Sequence, residues 1–284
     1  MPEGKFLISA SRRCDIPAFA NDWFLECLEK GYCEVANPFN PRQISRISLR
    51  HENVAAFIFW TRNPAPFRPA IEQLTRLNFD FGFFITINGY GKELEPFCPS
   101  PAQAIETLHE LATMIGPRRL IWRYDPIIIS DKLDFAWHID NFATLAKSLS
   151  PFVFGCKISL LDFYRKTING LKSVGQVFTR EPEKLHDFRS FLIELKGIAQ
   201  ENGLALSCCC ENDPAFSAAG IANSGCIEQG WVKQITKNPF CITKHKGQRK
   251  HCNCLYSRDI GSYNLCRHGC RYCYACDFHK PGAG

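Results

Sequence analysis

The feature that most constrains this chain is a compact run of three cysteines near its C-terminal end. Cys266, Cys270 and Cys273 follow a Cys-x3-Cys-x2-Cys spacing, and Tyr272 directly precedes the third thiol. This spacing is typical of a loop that holds a cube-shaped four-iron, four-sulfur (4Fe-4S) cluster by three of its irons. The fourth iron is then open to a second molecule. The run therefore predicts a cofactor that carries difficult chemistry and a protein that positions it.

Three interpretations of this run stay open on the residues themselves. An open iron favours S-adenosylmethionine as the second molecule, because its amino and carboxylate groups can chelate that iron. If Cys276 supplies a fourth thiolate, the cluster is fully ligated as in a ferredoxin, and electron transfer is the expected role. Structural zinc is the third interpretation, although zinc sites usually show two Cys-x2-Cys pairs separated by a loop.

The number of cysteines bears on the compartment as well as on metal binding. The chain has 16 cysteines in 284 residues and a formal charge of +6. A secreted, disulfide-rich protein would be much shorter and would carry a signal peptide, and the apolar run at residues 6–10 is too short for a signal or a membrane span. We therefore expect a cytoplasmic protein, without membrane association, whose clustered cysteines bind metal. The modest positive charge weakly supports an anionic ligand.

A second group of cysteines lies upstream of the first. Its core is the Cys-x-Cys pair at residues 252 and 254, to which Cys226 and one thiol of the triplet at residues 208–210 can be added. Four such thiolates would hold a second, fully ligated cluster that relays electrons or binds substrate. The alternative is that these thiols are ordinary buried core residues. The ligands predicted for the second cluster are Cys209, Cys226, Cys252 and Cys254.

Short apolar runs alternate with helical patterns along the first 211 residues. Strands are predicted at residues 6–9, 56–60, 81–87, 120–124, 153–160 and 204–208. Helices are predicted at residues 22–30, 69–77, 101–115, 135–148 and 183–201. This alternation favours parallel strands with right-handed crossovers, and we expect an α/β fold built as a TIM-like β/α barrel, full or partial. Residues 212–284 lack this periodicity and are predicted to form a cysteine-rich iron–sulfur cap on the barrel of residues 1–211.

Polar residues follow each predicted strand, and in a barrel these strand ends converge on the face that carries the chemistry. Arginines there suit carboxylate or phosphate groups. The candidate catalytic residues are Arg12, Arg13, Asp15, Arg62, Arg123 and Asp125. The candidate cofactor contacts are Ser159, Asp162, Glu211 and Tyr272. The alternative for the arginines is salt bridging to Asp15 and Asp125, and the alternative for Asp125 and Asp162 is capping of the following helix.

Several motifs resemble one known family. They are found at residues 9–18 (Ser-Ala-Ser-Arg-Arg-Cys-Asp-Ile-Pro-Ala), 37–41, 59–64, 121–127, 259–264 and 266–275. Together they resemble a bacterial and archaeal family of unknown function, family 1848, over nearly the whole chain. The tail also resembles, locally, the cluster loop of radical S-adenosylmethionine enzymes of the spore-photoproduct-lyase-like group. That likeness implies Cys266, Cys270 and Cys273 as cluster ligands.

Two departures from the radical-enzyme pattern shape the expected fold. In most of those enzymes the motif follows the first strand, so here the barrel would be circularly permuted or the loop would be delivered from outside. A Gly-Gly-Glu motif for the methionine amino group is absent from the sequence. We expect a radical S-adenosylmethionine enzyme, reduced by a ferredoxin or flavodoxin, that acts anaerobically on an anionic small molecule or peptide. The alternatives are a non-catalytic electron-transfer protein and a nucleic-acid lyase or modification enzyme.

Overall fold

The computed structural model describes residues 4–38, 40–244, 248 and 251–276. Ten strands lie in this part of the chain. They are β1 (Phe6–Ala10), β2 (Tyr32–Asn37), β3 (Asn40–Ser48), β4 (Val54–Thr61), β5 (Phe81–Thr86), β6 (Leu120–Ile127), β7 (Gly155–Leu160), β8 (Leu206–Cys208), β9 (Ala222–Asn223) and β10 (Ser257–Ile260).

Nine α-helices lie among the described residues. They are α1 (Ile16–Phe19), α2 (Asn21–Lys30), α3 (Arg68–Arg76), α4 (Pro101–Ile115), α5 (Phe135–Leu149), α6 (Arg165–Leu171), α7 (Phe188–Glu201), α8 (Pro214–Ala218) and α9 (Gln229–Ile235). Local signals explain several of their ends. Ser100 and Gln103 form a capping box at the start of α4, and Asp134 accepts a hydrogen bond from the Trp137 backbone at the start of α5. None of the described helices is long and apolar enough to cross a membrane.

Eight of the strands form one parallel sheet in the order β10-β1-β4-β5-β6-β7-β8-β9, and β2 and β3 form a separate antiparallel hairpin. The C-terminal strand β10 therefore pairs with the N-terminal strand β1, with Ser9 opposite Asp259. The pairings of the described residues do not join β9 to β10, so these two short strands are the edges of the sheet. The order matches a β/α barrel that begins with its C-terminal strand, and closure of that barrel stays a prediction.

Each face of the sheet is buried by a different part of the chain. Alternate side chains of a strand point to opposite faces, so Phe57 and Phe59 of β4 contact the helices that cover the outer face. Ile58 of the same strand packs in a second cluster with Trp231 and Val232 of α9. Strand β4 is buried along its whole length for this reason, which accounts for its unbroken apolar sequence.

All six predicted strands and all five predicted helices are present, with end points shifted by a few residues. The sequence analysis missed the β2–β3 hairpin, the edge strands β9 and β10, and four helices, α1, α6, α8 and α9. Strand β9 has only two residues, and β10 reads Ser-Arg-Asp-Ile with one apolar side chain. Edge strands this short and polar carry no periodic signal, since their place in the sheet depends on pairing with distant strands.

The boundary predicted between residues 211 and 212 does not separate two sheets. Residues after it supply β9 and β10 at the two edges, and α9 covers the inner face. The division into two domains stays a prediction. Residues 277–284 of the predicted cap lie outside the described residues.

Candidate functional site

A cavity of about 470 Å³ opens at the carboxyl ends of the parallel strands. Most of the residues predicted from the sequence line it. These are Arg12, Arg13, Asp15, Arg62, Arg123, Asp125, Ser159, Asp162, Cys209, Cys226, Cys266, Cys270, Tyr272 and Cys273. Parallel strands bring their carboxyl ends to one edge of a sheet, so side chains far apart in sequence meet there.

A second cavity of about 800 Å³ adjoins the first on the side of the β2–β3 hairpin. Arg12, Arg13, Trp60 and Arg123 line both cavities. The two cavities therefore form neighbouring parts of one basic, aromatic recess at the strand ends.

The two N-terminal arginines have different partners. The Arg13 guanidinium forms a salt bridge with Asp259 of β10, with 2.8 Å between Nε and Oδ2. The predicted alternative partner of Arg13 was Asp15, and that pairing is wrong. The Arg12 guanidinium lies over the Trp60 ring, 5.5 Å from its centroid, and its charge also acts on the nearby Asp259 carboxylate, where it opposes the rise in pKa that burial causes. Arg12 thus presents a positive charge to the recess.

Arg123 and Asp125 form a salt bridge at the end of β6, which is the alternative predicted for this arginine. Ser159 Oγ donates a hydrogen bond to Asp125 Oδ1 at 2.5 Å. The Nε atom of Arg123 is buried without a hydrogen-bond partner among the described residues. Asp125 therefore neutralises the Arg123 guanidinium through its Nη2 atom. The Nε–H group of Arg123 lacks an acceptor among the described residues.

Asp15 is a buried junction between three segments. Its carboxylate accepts hydrogen bonds from the backbone N–H groups of Ala18, which caps α1, and of Arg62. It also pairs with His268 of the cysteine motif, with 2.9 Å between Oδ2 and Nε2. Burial lowers the pKa of His268, but the hydrogen bonds to Asp15 and Cys98 and the charges of Asp15 and Cys266 together raise it to about 10. Asp15 therefore caps α1, which the sequence analysis did not predict, and anchors the motif.

Tyr272 points into the protein and not toward an open face of the motif. Its hydroxyl donates to Glu95 and accepts from Arg62, and Asn88 Nδ2 lies 3.2 Å away. Arg62 and Glu95 form a buried ion pair. Burial lowers the pKa of Arg62, but Glu95 together with Tyr272 and the nearby thiols outweighs it, and the net shift is upward. The phenol group of Tyr272 thus serves to hold the motif against β4 and the loop after β5.

The three cysteines of the motif contact two further cysteines. Cys270 Sγ lies 3.5 Å from Cys98 Sγ, on the loop after β5. The Cys276 thiol is hydrogen-bonded to the thiols of Cys266 and Cys273. Among the described residues, the three predicted ligands do not form a group whose sulfurs all lie within 4.8 Å of one another. Five thiols therefore surround this end of the cavity, and two of them lie outside the three-cysteine spacing.

These contacts set which thiols ionise most easily. The hydrogen bond from Cys270 lowers the pKa of Cys98 to about 4, against the opposing effect of burial. The hydrogen bond from Cys276 lowers the pKa of Cys273 to about 6 and also lowers that of Cys266. A thiolate is the form that binds metal, so this end of the cavity favours the ligand state of these sulfurs.

The upstream cysteines meet on the other side of the recess. Cys209, Cys226 and Cys254 are all buried, and their sulfurs lie within 4.8 Å of one another. The Cys252 thiol is hydrogen-bonded to that of Cys254. The structure thus brings together the four cysteines that the sequence analysis grouped. Their binding of a cluster stays a prediction.

Two predicted cofactor contacts take other positions. Glu211 Oε1 accepts a hydrogen bond of 2.8 Å from the backbone N–H of Leu160, and Glu211 is not among the residues that line the two cavities. Asp162 is exposed at the mouth of the cavity after β7. Ser159 contacts Asp125, as described above.

The sequence analysis missed two residues that contact the motif, Cys98 and Glu95, and one residue within it, His268. Cys98 and Glu95 lie in a loop without periodicity. A signal was available for Cys98, because Phe97-Cys98-Pro99 places a thiol directly before a proline that ends the loop. Nothing in the sequence pairs that loop with residue 270, since the contact forms only when the C-terminal tail folds back over β5.

The fold and the site together define an α/β protein with a large parallel sheet and two groups of cysteines at the carboxyl edge of that sheet. A family model described as "Domain of unknown function (DUF1848)" matches residues 7–275. The chain belongs to this family, and the resemblance noted from its motifs is confirmed. A search of curated proteins found no match.

Proposed function

We propose that this protein is a radical S-adenosylmethionine enzyme that uses Cys266, Cys270 and Cys273 to hold a 4Fe-4S cluster. The observation that carries the proposal is the place of the motif in the sheet. The motif directly follows β10, and β10 is the edge strand that pairs with β1. In a circularly permuted barrel, β10 would be the first strand, and the motif would follow it. Most radical enzymes carry their cluster motif in that position.

The donor set at this position fits such a cluster. The three thiols line the cavity. The pKa values of Cys266 and Cys273 are lowered, whereas the hydrogen bond to Cys98 and burial raise the pKa of Cys270. When reduced and bound to S-adenosylmethionine, such a cluster supplies the electron that cleaves the sulfonium into methionine and a 5′-deoxyadenosyl radical, which takes a hydrogen atom from a substrate. A ferredoxin or flavodoxin is the reductant we propose.

The residues of the recess have three tasks in this proposal. Arg12 and Arg123 attract an anionic substrate, since both side chains line the recess and Arg123 Nε lacks an acceptor among the described residues. Trp60 offers a flat apolar surface beneath Arg12. Asp125 and Ser159 fix the orientation of Arg123.

A second candidate function rests on Cys276. Its thiol contacts both Cys266 and Cys273, so a fourth thiolate is available close to two of the proposed ligands. With that ligand bound, the cluster has no open iron, and the protein transfers electrons without a reaction of its own. The nucleic-acid alternative stays a prediction that lacks a supporting contact, and binding of DNA or RNA at low salt would test it.

The cleavage of S-adenosylmethionine separates these functions. Protein reconstituted with iron and sulfide without oxygen, then reduced, is expected to produce 5′-deoxyadenosine and methionine. Replacement of Cys270→Ser should abolish the product and the cluster absorption. A matched control is Cys156→Ser, because Cys156 is buried between β7 and the outer helices and lies outside both cysteine groups. An intact, reduced cluster that yields no 5′-deoxyadenosine would favour the electron-transfer function.

A further inference from the structure

The second group of cysteines is assembled from three separate loops, two that follow β8 and β9 at one edge of the sheet and one that precedes β10 at the other edge. Cys209 directly follows β8, Cys226 lies three residues after β9, and Cys254 lies three residues before β10. Their three sulfurs lie within 4.8 Å of one another in a buried position. Core thiols that only fill space have no reason to turn their sulfurs toward a single point, so this convergence needs a separate explanation.

The sulfur distances discriminate between a single ion and a cluster. Around one tetrahedral ion with metal–sulfur bonds of about 2.3 Å, the ligand sulfurs lie about 3.8 Å apart. The ligands of a cube-shaped cluster bind different irons and stand further apart, because the cluster lies between them. Sulfurs within 4.8 Å of one another match the first case.

We propose that Cys209, Cys226 and Cys254 bind one tetrahedral divalent metal ion of the zinc type. The fourth ligand is Cys252, whose thiol lies outside the group of sulfurs within 4.8 Å of one another but contacts Cys254. This differs from the second 4Fe-4S cluster expected from the sequence. It does not depend on the proposed radical function, since it concerns other residues. The site has a structural role, because all four positions around the ion are taken by protein thiolates.

The backbone around these thiols is built for close approach. Gly225 has φ +77°, and a Cβ at this position would lie 2.7 Å from the backbone of Asn253 and Cys254. The N–H of Cys226 donates to Cys254 Sγ at 3.1 Å, and the N–H of Leu255 donates to the Ile227 carbonyl at 2.9 Å. Two loops thus run side by side, with a thiolate sulfur as a hydrogen-bond acceptor.

Asn223 connects the third loop to these two. Its Nδ2 donates to the carbonyls of Glu211 and His251, and its Oδ1 accepts from the N–H of Cys210. Hydrogen bonds of this kind orient the segments that carry metal ligands and are part of a metal site. The ion would join the ends of β8 and β9, at one edge of the sheet, to the segment before β10, which forms the other edge. It would therefore hold the two edges of the sheet close to each other beside the recess.

Cobalt is the probe for this site, because tetrahedral Co²⁺ thiolates absorb in the near ultraviolet and in the red. The full chain is purified without iron–sulfur reconstitution, stripped of metal under reducing conditions and titrated with Co²⁺. The titration is repeated in a variant that combines Cys266→Ser, Cys270→Ser and Cys273→Ser, so that the C-terminal motif makes no contribution. We expect one Co²⁺ per chain with a tetrahedral thiolate spectrum in this variant, displaced by Zn²⁺.

Single substitutions assign the ligands. Adding Cys226→Ser should weaken Co²⁺ binding by at least roughly 10-fold and remove the charge-transfer band, while Cys252→Ser should weaken that band. Cys241→Ser is the matched control, because Cys241 is buried in the same segment but its thiol bonds to Thr243 at 2.9 Å. This control should bind cobalt as the parent does.

Two results would overturn the inference. One is the absence of a thiolate–cobalt spectrum in the combined variant when its circular dichroism shows a folded protein. The other is the isolation of that variant with about four irons and four sulfides per chain, which would mean a cluster. If the combined variant does not fold, Co²⁺ binding is compared between wild type and the single variant Cys226→Ser. One equivalent less Co²⁺ bound by Cys226→Ser supports the site, and equal amounts of bound Co²⁺ overturn it. Production of 5′-deoxyadenosine is measured separately and does not bear on this outcome.

Discussion

Arg62 Nη1 lies 2.9 Å from Glu95 Oε1 in a pair that is almost entirely buried, with side-chain exposures of 13% and 6%. The pair joins the end of β4 to the loop after β5. The hydroxyl of Tyr272 bonds to both residues, so the cysteine motif rests directly on this ion pair. A charge pair in this position sets where the C-terminal tail docks on the sheet.

Removal of the Glu95 charge should destabilise the protein strongly. We expect Glu95→Gln to lower the free energy of unfolding by roughly 3–5 kcal/mol, because Arg62 would remain buried without its counter-charge. Chemical denaturation of both proteins in the same metal state measures this loss. Glu26→Gln is the control, since its ion pair with Lys30 is exposed and worth about 0.5 kcal/mol or less. A loss below about 1 kcal/mol for Glu95→Gln would contradict a structural role for the pair.

The role of Cys276 can be tested without knowledge of the substrate. If the radical proposal is right, Cys276→Ser keeps the cluster and forms 5′-deoxyadenosine within about threefold of the wild-type rate. The reason is that three thiolates suffice and the fourth iron must stay open. The measurement is product formation together with the iron content of each variant. Loss of the cluster in Cys276→Ser would instead identify this thiol as a ligand and favour the electron-transfer function.

His138 should make the protein less stable in acid. It is fully buried in its neutral form, because Nε2 donates to the Ile128 carbonyl and Nδ1 accepts from the Tyr124 hydroxyl. Burial lowers the pKa of His138 from 6.5 to about 4, although the bond to Ile128 and the charge of Asp134 oppose this. As the pH falls, the unfolded chain therefore takes up the proton first. The stability contribution is complete above pH 6.5 and is lost between pH 6.5 and pH 4.

The loss from this one histidine should amount to about 2–3 kcal/mol between pH 7 and pH 4.5. It is measured as the difference between the pH dependence of unfolding in wild type and in His138→Gln, so that other groups cancel. His186→Gln is the control, because the His186 side chain is 99% exposed. Equal pH dependence in wild type and His138→Gln would show the prediction to be wrong.

Gly225 should be intolerant of any side chain. At φ +77° an alanine is strained, and its Cβ would meet the backbone of residues 253 and 254 at 2.7 Å. We expect Gly225→Ala to cost roughly 1–3 kcal/mol of unfolding free energy and to weaken Co²⁺ binding in parallel. Gly197→Ala gives the opposite sign, a gain of roughly 0.5–1 kcal/mol, because Gly197 lies inside α7 with open space around it. Equal stability of the two variants would contradict the close packing of the loops.

The sequence predicted the periodic part of the fold well. Helix α4 begins and ends where its capping box and following glycine indicate, and β4 is recognisable from its continuous apolar residues. Such elements carry their own signal, since propensity, capping and burial pattern agree within a short window. Strands β9 and β10 carry no such signal, and the β2–β3 hairpin was also missed. The edges of the sheet therefore could not be located before the structure was known.

The candidate site shows the same division. The sequence by itself determined that thiols, arginines and carboxylates lie at strand ends, because their positions after apolar runs are a local property. Only the tertiary structure decided which of them meet. Arg13 pairs with Asp259 and not with Asp15, Cys98 joins Cys270, and Asp15 contacts His268. Each of these pairs spans more than 170 residues, and a contact of that separation depends on the order of strands in the sheet, which no short stretch of sequence encodes.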